Sequence, residues 1–593
     1  MTIAEAAGRA AVFISQPCGG RGSCGKCVVR CVEGNFSEPT AAEVRALGSE
    51  RLAEGYRLAC QARILGAATV EVPDTSRTLE RKEISLILSR RFEFQPNVFE
   101  CVVQVEPASI TSQRADLDRL RAALTRRFAL PPSLTALRSV PRAVRDAGGS
   151  VRVTAVNGRI VSVSPTGHPS GAFGAAVDLG TTTVVGYLFD LTTGDYLASA
   201  TSYNPQARHG ADVISRINYA MTSPDGLAEL HREAIEVVNR VIAEAATTAR
   251  LSLREIYEVT VVGNTCMHHL FLGVDPRYLG TSPYVPVLSE ATEAEARDLG
   301  LDIHPSGNVF VLPVVAGFVG ADTVAVILAT ELMQRPYPAL AIDIGTNGEI
   351  ALWTGKELLV ASCAAGPAFE GAQIRDGVRA MPGAIEKVER GDDDIRLHTI
   401  GNLPAIGICG SGLFDAVAVL LDLGAIDASG RLADAVDGLP KGVAARIKPM
   451  GNERCVVLAR AEETAGQRAV VLTQTDIRQV QLAKGAVRAA VELLLEHAGM
   501  TPDDLGEVLL AGAFGNYVNP LSILRMGLLP PKLDASRVHG VGNAAGAGAA
   551  LALLSLGERQ KAQEIARQAQ HVELFTSPRF QDVFAEAMLF DGE

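Results

Sequence analysis

Two stretches of the chain share one pattern of apolar and polar positions. In AAVDLGTTTVVGYLFD (175–190) and LAIDIGTNGEIALW (340–353) an apolar run leads into an Asp, a Gly turn follows, and a second apolar run leaves it. That pattern predicts strand, tight turn, strand. Further pairs follow in the same order. VTVVGNTCMHHLFL (259–272) is matched by EVLLAGAFGNYVNPL (507–521), each an apolar strand delivered onto a Gly-rich turn. VAGFVGADTVAVILAT (315–330) is matched by VGNAAGAGAALALLS (541–555), each a Gly-led helix of small residues. Three elements repeated in order predict a duplication. The architecture that follows is two similar α/β lobes facing each other across a nucleotide cleft.

The turns also carry chemistry. Gly-Thr-Thr at Gly180, Thr181 and Thr182, and Gly-Thr-Asn at Gly345, Thr346 and Asn347, present backbone N–H groups and hydroxyls suited to phosphate oxygens. Asp178 and Asp343, just before them, suit Mg2+ or its waters. ICGSGLFDAVAVLL (408–421) adds a further Gly turn, Gly410, Ser411 and Gly412, opening a helix whose N-terminus can take an anion. No Walker lysine or Rossmann fingerprint competes. Near these turns stand Asp212, Asn264, His268 and Asp322, polar groups placed to face the cleft. For His268 and His269, packing or surface exposure is the plainer expectation, and Asp322 can equally cap the helix that follows it. Cys266, Cys363 and Cys409 read as small buried residues.

Before the first lobe the pattern changes. VFECVVQVEP alternates as a strand, LDRLRAALTRRFAL has the spacing of an amphipathic helix, and SVRVTAVNGRIVSVSP predicts a hairpin at Asn157-Gly158. This is a small α+β domain, for which spacing or dimerisation is the default role. The charged stretch containing TLERKEISLILSRRFEF reads as a connector.

Composition narrows the class. With 593 residues, 47% apolar and 21% charged, the chain has material for several packed cores and little sign of bulk disorder. A net charge of -12 argues against nucleic acid as the main partner. No stretch reads as a membrane span, and MTIAEAAGRAAV lacks the order of a signal peptide, so the expected location is the cytoplasm. Structural disulfides are not expected there. Yet Cys18, Cys24, Cys27 and Cys31 crowd into PCGGRGSCGKCVVRC, and Cys60 follows in RLACQAR. Thiolates separated by glycines at C-x5-C-x2-C, closed by a distant fourth, suit one iron-sulfur cluster. The expected ligands are Cys18, Cys24, Cys27 and Cys60, with Cys31 left over. Structural zinc and free thiols are the alternatives, and the surplus Cys31 keeps ligand exchange open.

On these motifs the N-terminal segment resembles the plant-type ferredoxins, which implies a β-grasp-like fold around a 2Fe-2S cluster. The hairpin that precedes the cluster loop in that family is not evident here, so either the true start lies upstream of Met1 or the sheet is completed differently. The duplicated part resembles the actin, sugar-kinase and heat-shock chaperone ATPases, a ribonuclease H-like fold. This implies phosphate loops at Asp178–Thr182 and Asp343–Asn347 and an adenosine turn at Gly512, Gly515 and Asn516.

The whole order, with NPQARHGADVISRI, VGNTCMHHLFLG, DIGTNGEI, ICGSGL and LAGAFGNYVNP, resembles the reductive activators of corrinoid proteins. Such proteins restore cob(II)alamin to cob(I)alamin on methyltransferase corrinoid subunits, using ATP and a low-potential electron. The resemblance implies a corrinoid protein as partner and a ferredoxin, flavodoxin or reductase as donor. It leaves a homodimer open.

The resulting organisation is multidomain α/β and α+β. It comprises a ferredoxin-like domain over 1–74, a linker over 75–95, a middle α+β domain over 96–171, and ATPase lobes over 172–335 and 336–593. Rival readings are an activator of a radical dehydratase, a sugar or acetate kinase with a redox appendage, and a redox-sensing ATP-binding adaptor.

Overall fold

The computed structural model describes residues 2–9, 27–72, 90–126, 128, 130–146, 148–166, 171–210, 212–433, 438–512 and 518–590. The chain divides into two units, 1–85 and 86–593. Among the described residues no helix is long and apolar enough to cross a membrane.

In the first unit, α1 (Ile3–Arg9), β1 (Val28–Phe36), α2 (Ala41–Ala53), β2 (Tyr56–Leu58) and β3 (Ile64–Glu71) surround a small core of Ile3, Val29, Leu58 and Ala62. The strands pair antiparallel in the order β2-β1-β3. Helix α1 is fastened to the chain before β3: Ile3 N donates to Ala62 O and Ala4 N to Ala59 O, both at 2.9 Å. Helix α2 opens on a reciprocal cap between Thr40 and Glu43. The Glu43 carboxylate is fully buried and accepts from Arg57 Nε (2.9 Å), Arg57 Nη2 (3.1 Å) and Leu58 N (3.1 Å). Burial pushes this carboxyl up, but Arg57 and the amides of Thr40 and Leu58 outweigh burial and hold it below the ordinary carboxylate range. One buried acid thus fixes both the start of α2 and the strand leading to Cys60.

The second unit begins, in its described part, with a strap. Arg90 donates to Leu328 O (2.6 Å), Glu331 (3.1 Å) and Glu558 (2.5 Å), and Gln95 exchanges backbone hydrogen bonds with Leu554 and Leu556. A charged run reads as solvated in sequence. Arg90 departs from that reading because two carboxylates and a carbonyl satisfy its guanidinium. The expected linker from 75 to 89 lies outside the described residues.

The middle part contains β4 (Val98–Gln104), α3 (Asp116–Ala123), α4 (Leu134–Asp146), β5 (Ser150–Val156) and β6 (Arg159–Pro165). Its antiparallel sheet runs β4-β5-β6 and turns at Asn157-Gly158, as the sequence predicts. Val140, Ala143 and Val144 of α4 cover Val151, Val153 and Ile160.

Lobe I comprises β7 (Phe173–Leu179), β8 (Thr183–Asp190), β9 (Tyr196–Tyr203), α5 (Val213–Thr222), α6 (Gly226–Ala249), β10 (Ile256–Val262), α7 (Thr265–Leu272), β11 (Thr292–Glu295), β12 (Asn308–Val311) and α8 (Ala321–Thr330). Lobe II repeats the plan with β13 (Ala339–Ile344), β14 (Gly348–Trp353), β15 (Leu358–Cys363), α9 (Gly410–Asp422), α10 (Gln474–His497), β16 (Glu507–Ala511), β17 (Val538–Gly542), α11 (Ala544–Leu554), α12 (Leu556–Gln568) and β18 (Ala569–His571). The two main sheets run β11-β12-β10-β7-β8-β9 and β17-β16-β13-β14-β15-β18. In each, an antiparallel meander starts from a central strand that also pairs parallel with the strand of the second repeated motif. The duplicated helices α8 and α11 pack on one another so closely that a Cβ at Gly548 would lie 2.2 Å from Ala325 O. Among the described residues, two further three-stranded sheets decorate lobe II.

Candidate functional site

The register of the first sheet brings two of the expected cluster ligands together. Val28 pairs with Leu58, and one step on Ala59 N donates to Cys27 O at 2.8 Å. Cys27 and Cys60 are therefore buried side by side with sulfurs 3.3 Å apart, and Gln61 Nε2 lies 3.6 Å from Cys60 Sγ. Convergent buried thiols that are not in a disulfide fit a metal-sulfur group. Cys18 and Cys24 lie outside the described residues. Cys31 sits on β1, and burial pushes its thiol up.

In the second unit the first Gly turn is held by its carbonyls. Gly180 O accepts from Asn204 Nδ2 (2.9 Å), Thr181 O from Arg216 Nη2 (2.5 Å), and Thr182 O from Asn204 N (3.0 Å) and Arg379 Nη2 (3.3 Å). No acceptor among the described residues takes the N–H groups of Gly180, Thr181 or Thr182. A turn whose oxygens are occupied and whose amides are not is arranged for an anion. Asn264, the cap of α7, donates to Thr181 Oγ1 at 2.8 Å, so the second motif of lobe I supports the first.

The two turns meet across the cleft. The hydroxyls of Thr182 and Thr346 lie 3.1 Å apart, and Thr346 Oγ1 donates to Glu370 at 3.2 Å. Asn543, which caps α11, donates to Asp178 Oδ2 at 2.9 Å and so carries the last repeated motif of lobe II onto the first of lobe I. Gly512 lies against the second turn with φ +104°, where a Cβ would stand 2.6 Å from Ile344 O and 3.0 Å from Asp343 Oδ1. Only glycine permits that approach.

Acidic groups crowd this point. Burial, then Asp322, Asp178 and Glu370, push Asp343 up to about 8. Burial pushes Asp322 up to about 6, against the hydrogen bonds from Thr323. Glu349, opposite Asp343 in the β13–β14 register, is driven well above its ordinary value by burial and by the same two aspartates. Mutually repelling carboxylates call for a cation. Among the described residues no three converge tightly enough to hold a bare metal ion. Mg2+, which keeps several of its waters, suits such an open oxygen set.

Comparison with known proteins agrees with this geometry along the chain. Residues 1–65 match the 2Fe-2S iron-sulfur cluster binding domain, 87–169 the RACo linker region, 173–335 the RACo middle region and 338–593 the C-terminal, ASKHA domain of RACo. The corrinoid activation enzyme RamQ of Eubacterium limosum is 39% identical over 420 residues, covering 70% of each chain. A solved structure, the reductive activator for corrinoid, iron-sulfur protein, superposes over 100% of this chain and 95% of its own with TM-score 0.79 and 34% identity. The chain belongs to the RACo family. A more distant relative is the [Co(II) methylated amine-specific corrinoid protein] reductase of Methanosarcina barkeri, 27% identical over 450 residues, 70% of this chain and 76% of its own.

Within this RACo-family chain, the remaining sequence candidates divide. Ser411 and Gly412 open α9 but face its packing partner: Ser411 Oγ donates to Glu386 O at 2.9 Å, and a Cβ on Gly412 would lie 2.2 Å from Ile385 O. Gly410 beside them is likewise buried. Asp212 caps α5 through Ser215 N and Oγ, both at 2.8 Å. Gly515 and Asn516 lie outside the described residues. Cys266, Cys363 and Cys409 are buried, as expected. Sequence reasoning passed over Asn204, Arg216, Glu349, Glu370, Arg379 and Asn543. Asn543 had a signal, an Asn immediately before a Gly- and Ala-rich helix.

Proposed function

We propose that this chain is an ATP-dependent reductive activator. It passes a low-potential electron through a 2Fe-2S cluster held by Cys18, Cys24, Cys27 and Cys60 to the cob(II)alamin of a corrinoid protein, restoring cob(I)alamin for methyl transfer. The observation that carries the reading is the Thr182–Thr346 contact, which closes two matched Asp-x-Gly-Thr turns on one another in a chain that also buries the Cys27–Cys60 thiol pair. The names of the relatives support the corrinoid partner. The reductant is a ferredoxin, flavodoxin or reductase, and the setting is the cytoplasm.

When bound, the cluster supplies one-electron transfer. The chain's part is to bury the thiols of Cys27 and Cys60 and to bind nucleotide between the lobes. Gly180, Thr181 and Thr182, with Thr346 and Asn347, offer amides and hydroxyls to phosphate, while Gly345 N closes the second turn on Asn347 O at 3.1 Å, and Asp178 and Asp343 hold Mg2+ through its waters. An electron step opposed by about 200 mV costs roughly 5 kcal/mol, at about 2.3 kcal/mol per 100 mV. A ligand that prefers one conformation about 10,000-fold shifts an equilibrium by about 5.5 kcal/mol, so cleft closure on nucleotide is large enough to drive it.

The test mixes the reduced protein with a corrinoid protein and follows cob(I) absorption with and without ATP. Reduction should require ATP, Cys60→Ser should remove the 2Fe-2S spectrum, and Asp343→Ala should remove ATP turnover while leaving the spectrum intact. ATP-dependent reduction that survives Asp343→Ala would overturn the site assignment.

A further inference from the structure

A phosphate site usually needs cationic side chains beside its amides, and the chain has no Walker lysine. Around the first turn, two arginines reach consecutive carbonyls from opposite lobes. Arg216 comes from α5 of lobe I and donates to Thr181 O. Arg379 comes from a loop of lobe II and donates to Thr182 O.

The two differ in freedom. Arg216 is fully buried and is held also by Gly210 O at 3.1 Å and Gln206 Oε1 at 3.2 Å. It has no ion pair with a carboxylate among the described residues, so it is a fixed prop with its charge directed at the turn. Arg379 is half-buried, and its one hydrogen bond among the described residues is the long one to Thr182 O. Its guanidinium lies over the ring of Tyr203, itself exposed at the end of β9. The chain that carries Arg379 is anchored before and after it. Val378 N donates to Ile408 O at 2.8 Å, and Gly383 N donates to Ile400 O at 2.9 Å. The guanidinium is held less firmly than this flanking backbone, by the 3.3 Å bond to Thr182 O. Exchanging a neutral carbonyl for an anionic oxygen strengthens its hydrogen bond about twofold.

Resting on the nucleotide reading above, we propose that Arg379 is the cationic contact for the terminal phosphate of a nucleoside triphosphate, supplied by lobe II across the cleft to the turn of lobe I. Arg216 is the positioning residue that keeps the carbonyl of Thr181 turned away from the anion.

Equilibrium binding of Mg-ATP and Mg-ADP is measured on the full chain and on Arg379→Gln and Arg379→Lys. Arg379→Gln should weaken ATP binding about tenfold to a hundredfold, the range of a charged hydrogen bond, and ADP binding by less than about threefold. Arg379→Lys should recover part of the loss. Unchanged ATP affinity in Arg379→Gln overturns the proposal, and so does an equal loss for ATP and ADP, which would make the residue a structural latch. If the unsubstituted chain binds neither nucleotide, the nucleotide reading fails first and this inference goes with it.

Discussion

His268 and His269 are neighbours on one helix with opposite circumstances. His269 is satisfied: Nε2 accepts from Val287 N at 3.1 Å, so Nδ1 carries the proton and donates to Thr265 O at 2.7 Å. His268 is buried, and neither ring nitrogen has a hydrogen-bond partner among the described residues. Packing or surface exposure was the plainer expectation for both; the structure buries both and leaves one of them without a partner among the described residues. Burial, then the neighbouring His269, push His268 down to about 3, and burial, then Arg254, push His304 down to about 4. The unfolded chain takes up these protons near pH 6.5, whereas the folded chain refuses them until near 3 and 4. Between those values the unfolded state binds more protons, so stability falls as pH falls. The unfolding free energy of lobe I, followed in urea, should therefore decline from pH 7 to pH 5. His268→Leu should flatten the decline at no loss near pH 7, since no hydrogen bond is removed. A curve parallel to that of the parent would show that His268 does not stay neutral in the fold. At this scale the sequence was readable where chemistry is local, as in the Asp-x-Gly-Thr turns. It was silent on Arg216, Arg379 and Glu370, whose partners lie in other elements and have no fixed spacing along the chain.

Among elements, the duplication was readable because its signals, an apolar run and a Gly turn, recur in order. What the pattern did not reveal is that the last repeated helices, α8 and α11, pack directly against each other. Their glycines and alanines look like low-information sequence, yet they set the distance between the lobes. Gly548→Ala would force a methyl into Ala325 O, and overpacking of this kind costs about 1–3 kcal/mol. Calorimetry should show a lower melting temperature, with weaker nucleotide binding because both turns shift. Gly557, in α12, meets nothing closer than Ser555 Oγ at 3.6 Å and has an ordinary backbone. Gly557→Ala should instead stabilise by roughly 0.4–1 kcal/mol through the unfolded chain. If both substitutions have the same sign, close helix packing is not what those glycines serve.

For the whole molecule, the order of parts was legible, but the end of the connector was not. Charge predicts solvent, and it takes two distant acids, Glu331 and Glu558, to overrule it at Arg90. The Glu558 side chain is almost wholly buried, with Lys561 as its other ion-pair partner. Removing one partner of a buried pair costs about 3–5 kcal/mol, so Arg90→Ala should fall near the lower end. Denaturant unfolding of the full chain should show the loss in the ATPase transition, with the visible spectrum of the iron-sulfur domain unchanged.

The strap bears on how the gene is trimmed. An open reading frame started at the first strand of the middle part looks tidy on paper, yet it strips Glu558 of its guanidinium and Leu554 of its backbone neighbour. Shorter ATPase pieces of this protein should be started well ahead of Arg90, and poor yield from later starts would reflect that missing contact rather than any fault of the lobes.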